Sequence, residues 1–224
     1  MTNASTARLD QVSAGAFCEW LAQARAALLG DGGSNVPCGD CVGCCVSSYY
    51  VPIRSHETHA LEAVPREFLV DVPGAPRGDF MLGYSAEGRC PMLTKTGCSI
   101  YHARPQTCRD YDCRIFAAAG IDAGGAEKAA INKRVREWRF SYPTSDDERA
   151  HDAVLAAAAF IGEQRNAFPG SRAPTAPTGI AVLAIKVYAV FLDSKAATLT
   201  DSEIARAIID ASGRFDAMTP ANCF

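Results

Sequence analysis

Cys38-Gly39-Asp40-Cys41-Val42-Gly43-Cys44-Cys45 is the stretch on which the reading of this chain turns. Two-residue gaps let neighbouring sulfurs face one ion or cluster, and Gly39 and Gly43 give the backbone the freedom to do so. Further along stand Cys90, Cys98, Cys108 and Cys113, so eight of the ten cysteines in the 224 residues fall between positions 38 and 113. Cysteine is often just a small buried residue. That reading serves for Cys18 and Cys223, which stand apart. It fails for eight crowded thiols, which would be an oxidation liability unless bound. Cys38, Cys41, Cys44, Cys45, Cys90, Cys98, Cys108 and Cys113 are therefore the expected metal ligands. Each must lose its proton to bind, and the metal favours that form.

Spacing leaves the metal open. Cys38, Cys41 and Cys44 match the first three ligands of a bacterial ferredoxin run, but the fourth position is Ser48, followed by Tyr49 instead of proline. A Cys-x₃-Cys-x₂-Cys reading from Cys41 and Cys45 also ends on Ser48. Zinc accepts four thiolates equally well. Strand parity adds a constraint. If 94–97 is a four-residue turn, Leu93 lies opposite Cys98 and Cys90 points to the other face; Pro91 can disrupt that ladder. Cys108 and Cys113 are five apart, about 140° on a helix, and share a site only if the chain turns between them. Cys45, next to Cys44 in an extended segment, is expected to point away from it, toward a second metal or the distal cysteines.

Lys and Arg number 22 against 25 Asp and Glu, a net charge of −3, and 48 % of residues are apolar. This is ordinary globular composition. The length fits one domain, or one with a small appendage, with a core that needs no disulfides. The mildly acidic balance argues against a dedicated nucleic-acid binder. The longest apolar run, Ile180 to Leu192, is broken by Lys186 and is shorter than the ~20 residues a membrane span requires. Met1 to Gly15 has no apolar core of a secretory signal. The expected compartment is the cytoplasm, where clustered cysteines bind metal more often than they pair.

Outside the cysteine-rich middle the flanks read as helical. Val12, Phe17, Leu21, Ala24 and Leu28, with Trp20 alongside, predict a helix within 7–29, stopped at Gly30 to Gly33. Residues 46–53 read as a strand, and Ser55 as the cap of a helix over 56–63. Prolines make 64–78 irregular. Short strands are predicted over 79–84, 89–93 and 98–101. A helix is predicted over 126–140 with Ile131, Val135 and Trp138 on one side. Ser145-Asp146-Asp147-Glu148 reads as a capping box opening an alanine-rich helix that Phe168-Pro169-Gly170 ends. A linker over 171–178 leads to helices at 179–194 and 201–211, the last opened by the capping box Thr200-Asp201-Ser202-Glu203.

Other candidates are weaker. His56-Glu57-Thr58-His59 is one residue short of a metalloprotease motif and reads as a solvated first helical turn, with Glu57 near its positive end. His102 reads as a surface histidine. Arg104 and Arg109 either offset thiolate charge or pair with Asp110 or Asp112. Basic residues over 128–139 read as a solvated helix face. No nucleotide fingerprint and no Ser-His-Asp pattern is evident.

The cysteine pattern resembles that of the YkgJ-type cysteine-cluster proteins, a zinc- or iron-chelating family. The residues that carry the likeness are Cys38 to Cys45, Cys90-Pro91-Met92-Leu93, Cys98-Ser99-Ile100-Tyr101-His102-Ala103-Arg104-Pro105, and Cys108-Arg109 with Cys113. They span about residues 38–116. The resemblance implies a metal-binding domain. It is distantly similar to the cysteine cluster of flagellin lysine methylases, an analogy that implies a [4Fe–4S] cluster ahead of zinc.

The expected fold is α+β. An N-terminal helix (1–36) and a helical C-terminal region (117–224) are expected to flank an irregular cysteine-cluster region (37–116) with short antiparallel strands, together as one structural domain. The expected function is cysteine-ligated metal binding, iron–sulfur or zinc, in a structural, sensing or delivery role. The expected partner is a metal ion or cluster, with an unidentified protein as a further candidate; nucleic acid and membrane are not expected. The alternative is a metal-dependent enzyme modifying a protein by redox chemistry or methyl transfer.

Overall fold

The computed structural model describes residues 11–31, 33–34, 36–192 and 198–218. The fold is α+β, with a helical C-terminal half. Cys223 lies outside the described residues.

The described residues open with a strand where a helix is predicted. β1 (Val12–Ala16) pairs in parallel with β7 (Trp138–Ser141), and α1 (Phe17–Leu28) begins only after it. The predicted helix over 126–140 is likewise shortened, to α5 (Ala129–Glu137), and Trp138 starts the strand. The reason is non-local: neither strand is visible alone, because each finds its hydrogen bonds on a segment more than 120 residues away. Gly15, at φ +91°, takes up the register shift between the strands, a conformation open to glycine without a Cβ penalty.

The large core lies beneath this pair. Phe17, Trp20 and Leu21 of α1 meet Phe116 of α4 (Arg114–Ala119), Ile131 and Val135 of α5, Val154 and Ile161 of α6 (Ser145–Glu163), and Ile185 of α7 (Pro177–Val187). α8 (Ala189–Leu192) and α9 (Asp201–Asp216) close it, with Ile208 buried. Alanines 150, 153, 157 and 158 form the buried stripe of α6, which small side chains let neighbouring helices approach closely.

Two capping boxes open the long helices. Thr200 and Glu203 form the predicted one on α9. On α6 the cap is Thr144, one residue ahead of the predicted Ser145, with Asp147 reciprocating. Asp147 also accepts from the Cys18 amide at 2.8 Å, so its carboxylate ties α6 to α1. Hydrogen bonds from Thr144 and from the Cys18 amide hold this carboxyl below the usual range. Its contribution is therefore full above the unfolded pKa of ~4 and lost as pH falls through the lower folded value. Thr144→Ala is expected to cost about 1 kcal/mol in urea unfolding at pH 7. Asp147→Asn should flatten the loss of stability between pH 5 and 3; an unchanged acid limb would contradict this role.

A second, smaller core holds Val51, Ile53, Ala60, Val64, Leu82 and Met92. It forms around β2 (Pro52–Ile53), β4 (Phe80–Leu82) and β3 (Leu69–Asp71), an antiparallel sheet in the order β2-β4-β3. The predicted strand over 46–53 survives only at its end, because Cys44–Val46 form a 3₁₀ turn. α2 (Thr58–Ala63) starts two residues later than predicted, and Ser55 does not cap it. Instead the Ser55 amide donates to Asp79. Glu57 accepts from the amides of Arg54 and of Gln106, at the start of α3 (Gln106–Asp110), and so fastens α3 to α2.

Candidate metal centre

All eight central cysteines line one cavity of about 720 Å³, although 75 positions separate the first from the last. The cavity lies between the two cores. Cys113 belongs to the large one, while Cys90, Cys98 and Cys108 pack against the small one. Cys113 is the buried member and Cys44 the exposed one. Among the described residues no disulfide forms, and no three His, Cys, Asp or Glu side chains converge tightly enough to hold one ion. The thiols encircle a space without closing on a point.

Backbone contacts bring the segments together. The Cys90 amide donates to the Cys45 carbonyl at 2.7 Å, and the Ser48 amide and hydroxyl both donate to the Gly88 carbonyl. Ser48 sits at φ +48°, a left-handed conformation that costs a non-glycine residue roughly 1–2 kcal/mol. So the residue at the ferredoxin run's fourth position closes a turn onto the next cysteine segment. Gly43 lies flat on α5: a Cβ there would stand 3.1 Å from the Ala130 carbonyl oxygen.

Three sequence expectations about individual cysteines need correction or completion. The hairpin of β5 (Leu93–Thr94) and β6 (Gly97–Cys98) has the predicted register, Leu93 opposite Cys98. Yet Cys90 and Cys98 line the same cavity, because residues 90–92 form a turn, closed by the Leu93 amide on the Cys90 carbonyl, and strand parity stops at Leu93. Cys45 does not point away from Cys44. The 3₁₀ turn replaces the assumed extended backbone and leaves Cys45 beside both Cys44 and, as expected, one of the distal cysteines, Cys90. Cys108 and Cys113 both reach the cavity because α3 ends at Asp110 and the chain turns before Cys113 caps α4.

The electrostatics follow from burial and from these bonds. Interaction with Cys45 pulls Cys44 and Cys90 down to about 7, and the same two neighbours push Cys45 far above its ordinary value. Burial pushes Cys38 up to about 11 and Cys108 and Cys113 up to about 12, the last despite the Trp138 Nε1–H donated to its sulfur at 3.2 Å. Arg89, Lys95, Arg104 and Arg134 also line the cavity, with Asp40 the one carboxylate there among the described residues. This cationic lining offsets negative charge on the sulfurs.

Among the described residues, four buried polar groups around the cysteines find no hydrogen-bond partner: Arg104 Nε, Arg134 Nε, Tyr84 Oη and Tyr111 Oη. Buried donors are costly to leave unpaired, so their concentration here marks a place that suits an anionic occupant. The residues present thus fit a thiolate-bound metal group: sulfur ligands in number, cations beside them, and free donors behind.

Sequence reading missed Arg134. It donates to the Cys38 carbonyl at 3.3 Å, lies beside Cys41, and pairs with Glu137 at 3.4 Å. Burial alone would lower its pKa, but Cys41, Glu137 and Cys113 raise it. It stood inside the basic stretch read as solvated. Other cations of that stretch are also engaged: Lys128 with the Ser47 carbonyl and the Tyr49 ring, Arg136 with Asp122, Arg139 with the carbonyls of Arg136 and Trp138. Of the two motif arginines, Arg104 lines the cavity, while Arg109 donates to the carbonyls of His102 and Arg104. Asp112 is taken by Arg114. His102 is exposed and outside the lining.

Among the described residues no helix is long and apolar enough to cross a membrane. No curated protein and no solved structure matches the chain significantly. The eight thiols and Arg134 fall within the stretch that is similar to a known family: residues 37–135 match the CxxCxxCC model, described as a "putative zinc- or iron-chelating domain".

Proposed function

We propose that the protein binds iron–sulfur through its central cysteines and that the bound group serves structurally, joining the small core to the large one. The observation that carries this reading is the cavity itself, eight thiols around about 720 Å³ at the seam between two cores. A four-thiolate zinc site is closed around one ion and asks for no such space. A cluster brings inorganic sulfur as well as iron, and its sulfurs accept hydrogen bonds. Arg104, Arg134 and Tyr111, which line the cavity, carry buried donors suited to that purpose. The ligand residues would be drawn from Cys38, Cys41, Cys44, Cys45, Cys90, Cys98, Cys108 and Cys113. When bound, the group would supply the cross-links that a disulfide supplies elsewhere, closing loops of long span. Burial pushes the pKa values of Cys38, Cys108 and Cys113 up and so favours their thiol forms, and binding at them would release protons.

The test is anaerobic purification, metal and sulfide analysis, and an absorption spectrum. Brown protein with acid-labile sulfide and a broad band near ~400 nm, as thiolate-bound iron clusters show, is the expected result. Colourless protein with stoichiometric zinc would overturn the cluster and leave the cysteine site standing.

A further inference from the structure

Residues that line the cavity and are also exposed mark its mouth. Val42, Cys44, Arg89, Lys95 and Tyr101 are such residues, and they come from separate stretches of the chain. Lys95 stands in the turn of the β5–β6 hairpin, which Thr94 holds: its hydroxyl donates to the Gly97 carbonyl at 2.7 Å and accepts from the Thr96 amide at 3.3 Å. Tyr101 opens a 3₁₀ turn and is 50 % exposed, with the Arg104 guanidinium over its ring at 3.9 Å. Arg109 donates to the carbonyls of His102 and Arg104 and fastens that turn. The backbone that carries these side chains is therefore held in place before anything binds.

Among the described residues, none of Arg89, Lys95 and Arg104 joins a salt bridge. They outweigh Asp40 in the lining, even with Glu87 beside Arg89. In a chain of net charge −3 this is a local reversal of sign. Charge on the sulfurs accounts for the half-buried Arg104 and Arg134. It does not account for Arg89 and Lys95, because an exposed charge is screened by water and salt and adds little to a buried group. Exposed tyrosine with a stacked arginine, set among further cations, has the composition of a binding hot spot with a charged rim. We propose that the mouth of the cavity is a docking surface for an acidic segment of a protein partner. Its carboxylates meet Arg89, Lys95 and Arg104, and its apolar side chains cover Tyr101 and Val42. So seated, the partner reaches Cys44, the exposed thiol of the cavity. A small anion asks for donors that converge on one point, whereas these cations stand on separate stretches around an opening. A nucleic acid asks for a broader basic face. The mouth is cationic whichever metal the cavity binds.

The probe is a fluorescein-labelled glutamate peptide with a central leucine, titrated into the full chain as purified anaerobically and followed by anisotropy at low salt. Saturable binding is expected, weakening as salt is added. Arg89→Glu combined with Lys95→Glu should lower the affinity about tenfold, since like charges then face each other. Tyr101→Ala should lower it about fivefold. Arg214→Glu makes the same reversal on α9, away from the lining, and should leave binding unchanged. Bound peptide should slow hydrogen exchange at residues 94–98 and 101–104. If circular dichroism shows lost helix in the double variant, Arg89→Gln with Lys95→Gln replaces it. No saturable binding, or an equal loss in Arg214→Glu, overturns the docking surface. Tighter binding of citrate than of the peptide would make the mouth a small-anion site, and tighter binding of labelled oligothymidylate would make it a nucleic-acid surface. Either result overturns the acidic protein partner.

Discussion

Asp112→Ala is expected to lower the unfolding free energy by about 3–5 kcal/mol, the cost of leaving a buried charge without its partner. Asp112 and Arg114 are 5 % and 6 % exposed, and their nearest N···O distance is 2.7 Å. Three guanidinium contacts and the Arg114 amide fall on this one carboxylate. Trp20 Nε1 adds a fifth at 3.0 Å, and Arg114 reaches the Ala14 carbonyl of β1 at 3.3 Å. The pair thus links α1, β1 and the start of α4, just after Cys113. Removing the carboxylate strands the guanidinium and the indole N–H together. In thermal unfolding the loss should appear as a fall in Tm of roughly 10 °C for a chain of this size. Replacing both partners, Asp112→Leu with Arg114→Met, should recover a large part of it, since an apolar pair avoids desolvation. A loss below about 1 kcal/mol in the single variant would show that water or another donor compensates.

Removal of the bound metal should have the other large effect, and a local one. Thiolate binding of a structural ion can contribute about 10 kcal/mol or more to folding. The small core holds six buried apolar residues, of which the largest are Ile53, Leu82 and Met92. It has little apolar surface of its own to resist opening. Hydrogen exchange with and without chelator should therefore show protection falling by orders of magnitude across residues 45–108. Amides of α6 and α7, inside the large core, should change little. Equal protection in both samples would refute the structural role.

Much of the candidate site was legible because it is local in sequence. The two-residue gaps from Cys38 to Cys44 and the crowding of eight cysteines point to one place, and the structure puts all eight around one cavity. Arg104 could be flagged because it stands between Cys98 and Cys108. Arg134 could not: its neighbours in sequence are other basic residues, and only the packing of α5 on Gly43 brings it to Cys41. Tyr84 and Tyr111 carried no signal, since nothing local marks a hydroxyl as buried and unpartnered.

The sequence by itself determined what depends on neighbours along the chain: the long C-terminal helices, the capping box at Thr200, the register of the Leu93–Cys98 hairpin and the cysteine block. Side-chain period, caps and short turns act over a few residues, so their outcome is written where they stand. Tertiary structure decided what depends on a distant partner. Val12–Ala16 became a strand because Trp138–Ser141 offers hydrogen bonds. Cys90 turned toward Cys98 because a turn at 90–92 breaks strand parity, and Cys45 met Cys44 because a 3₁₀ turn packs against α5. A backbone group must be paired once buried, and which segment supplies the pair is settled only when the chain has folded.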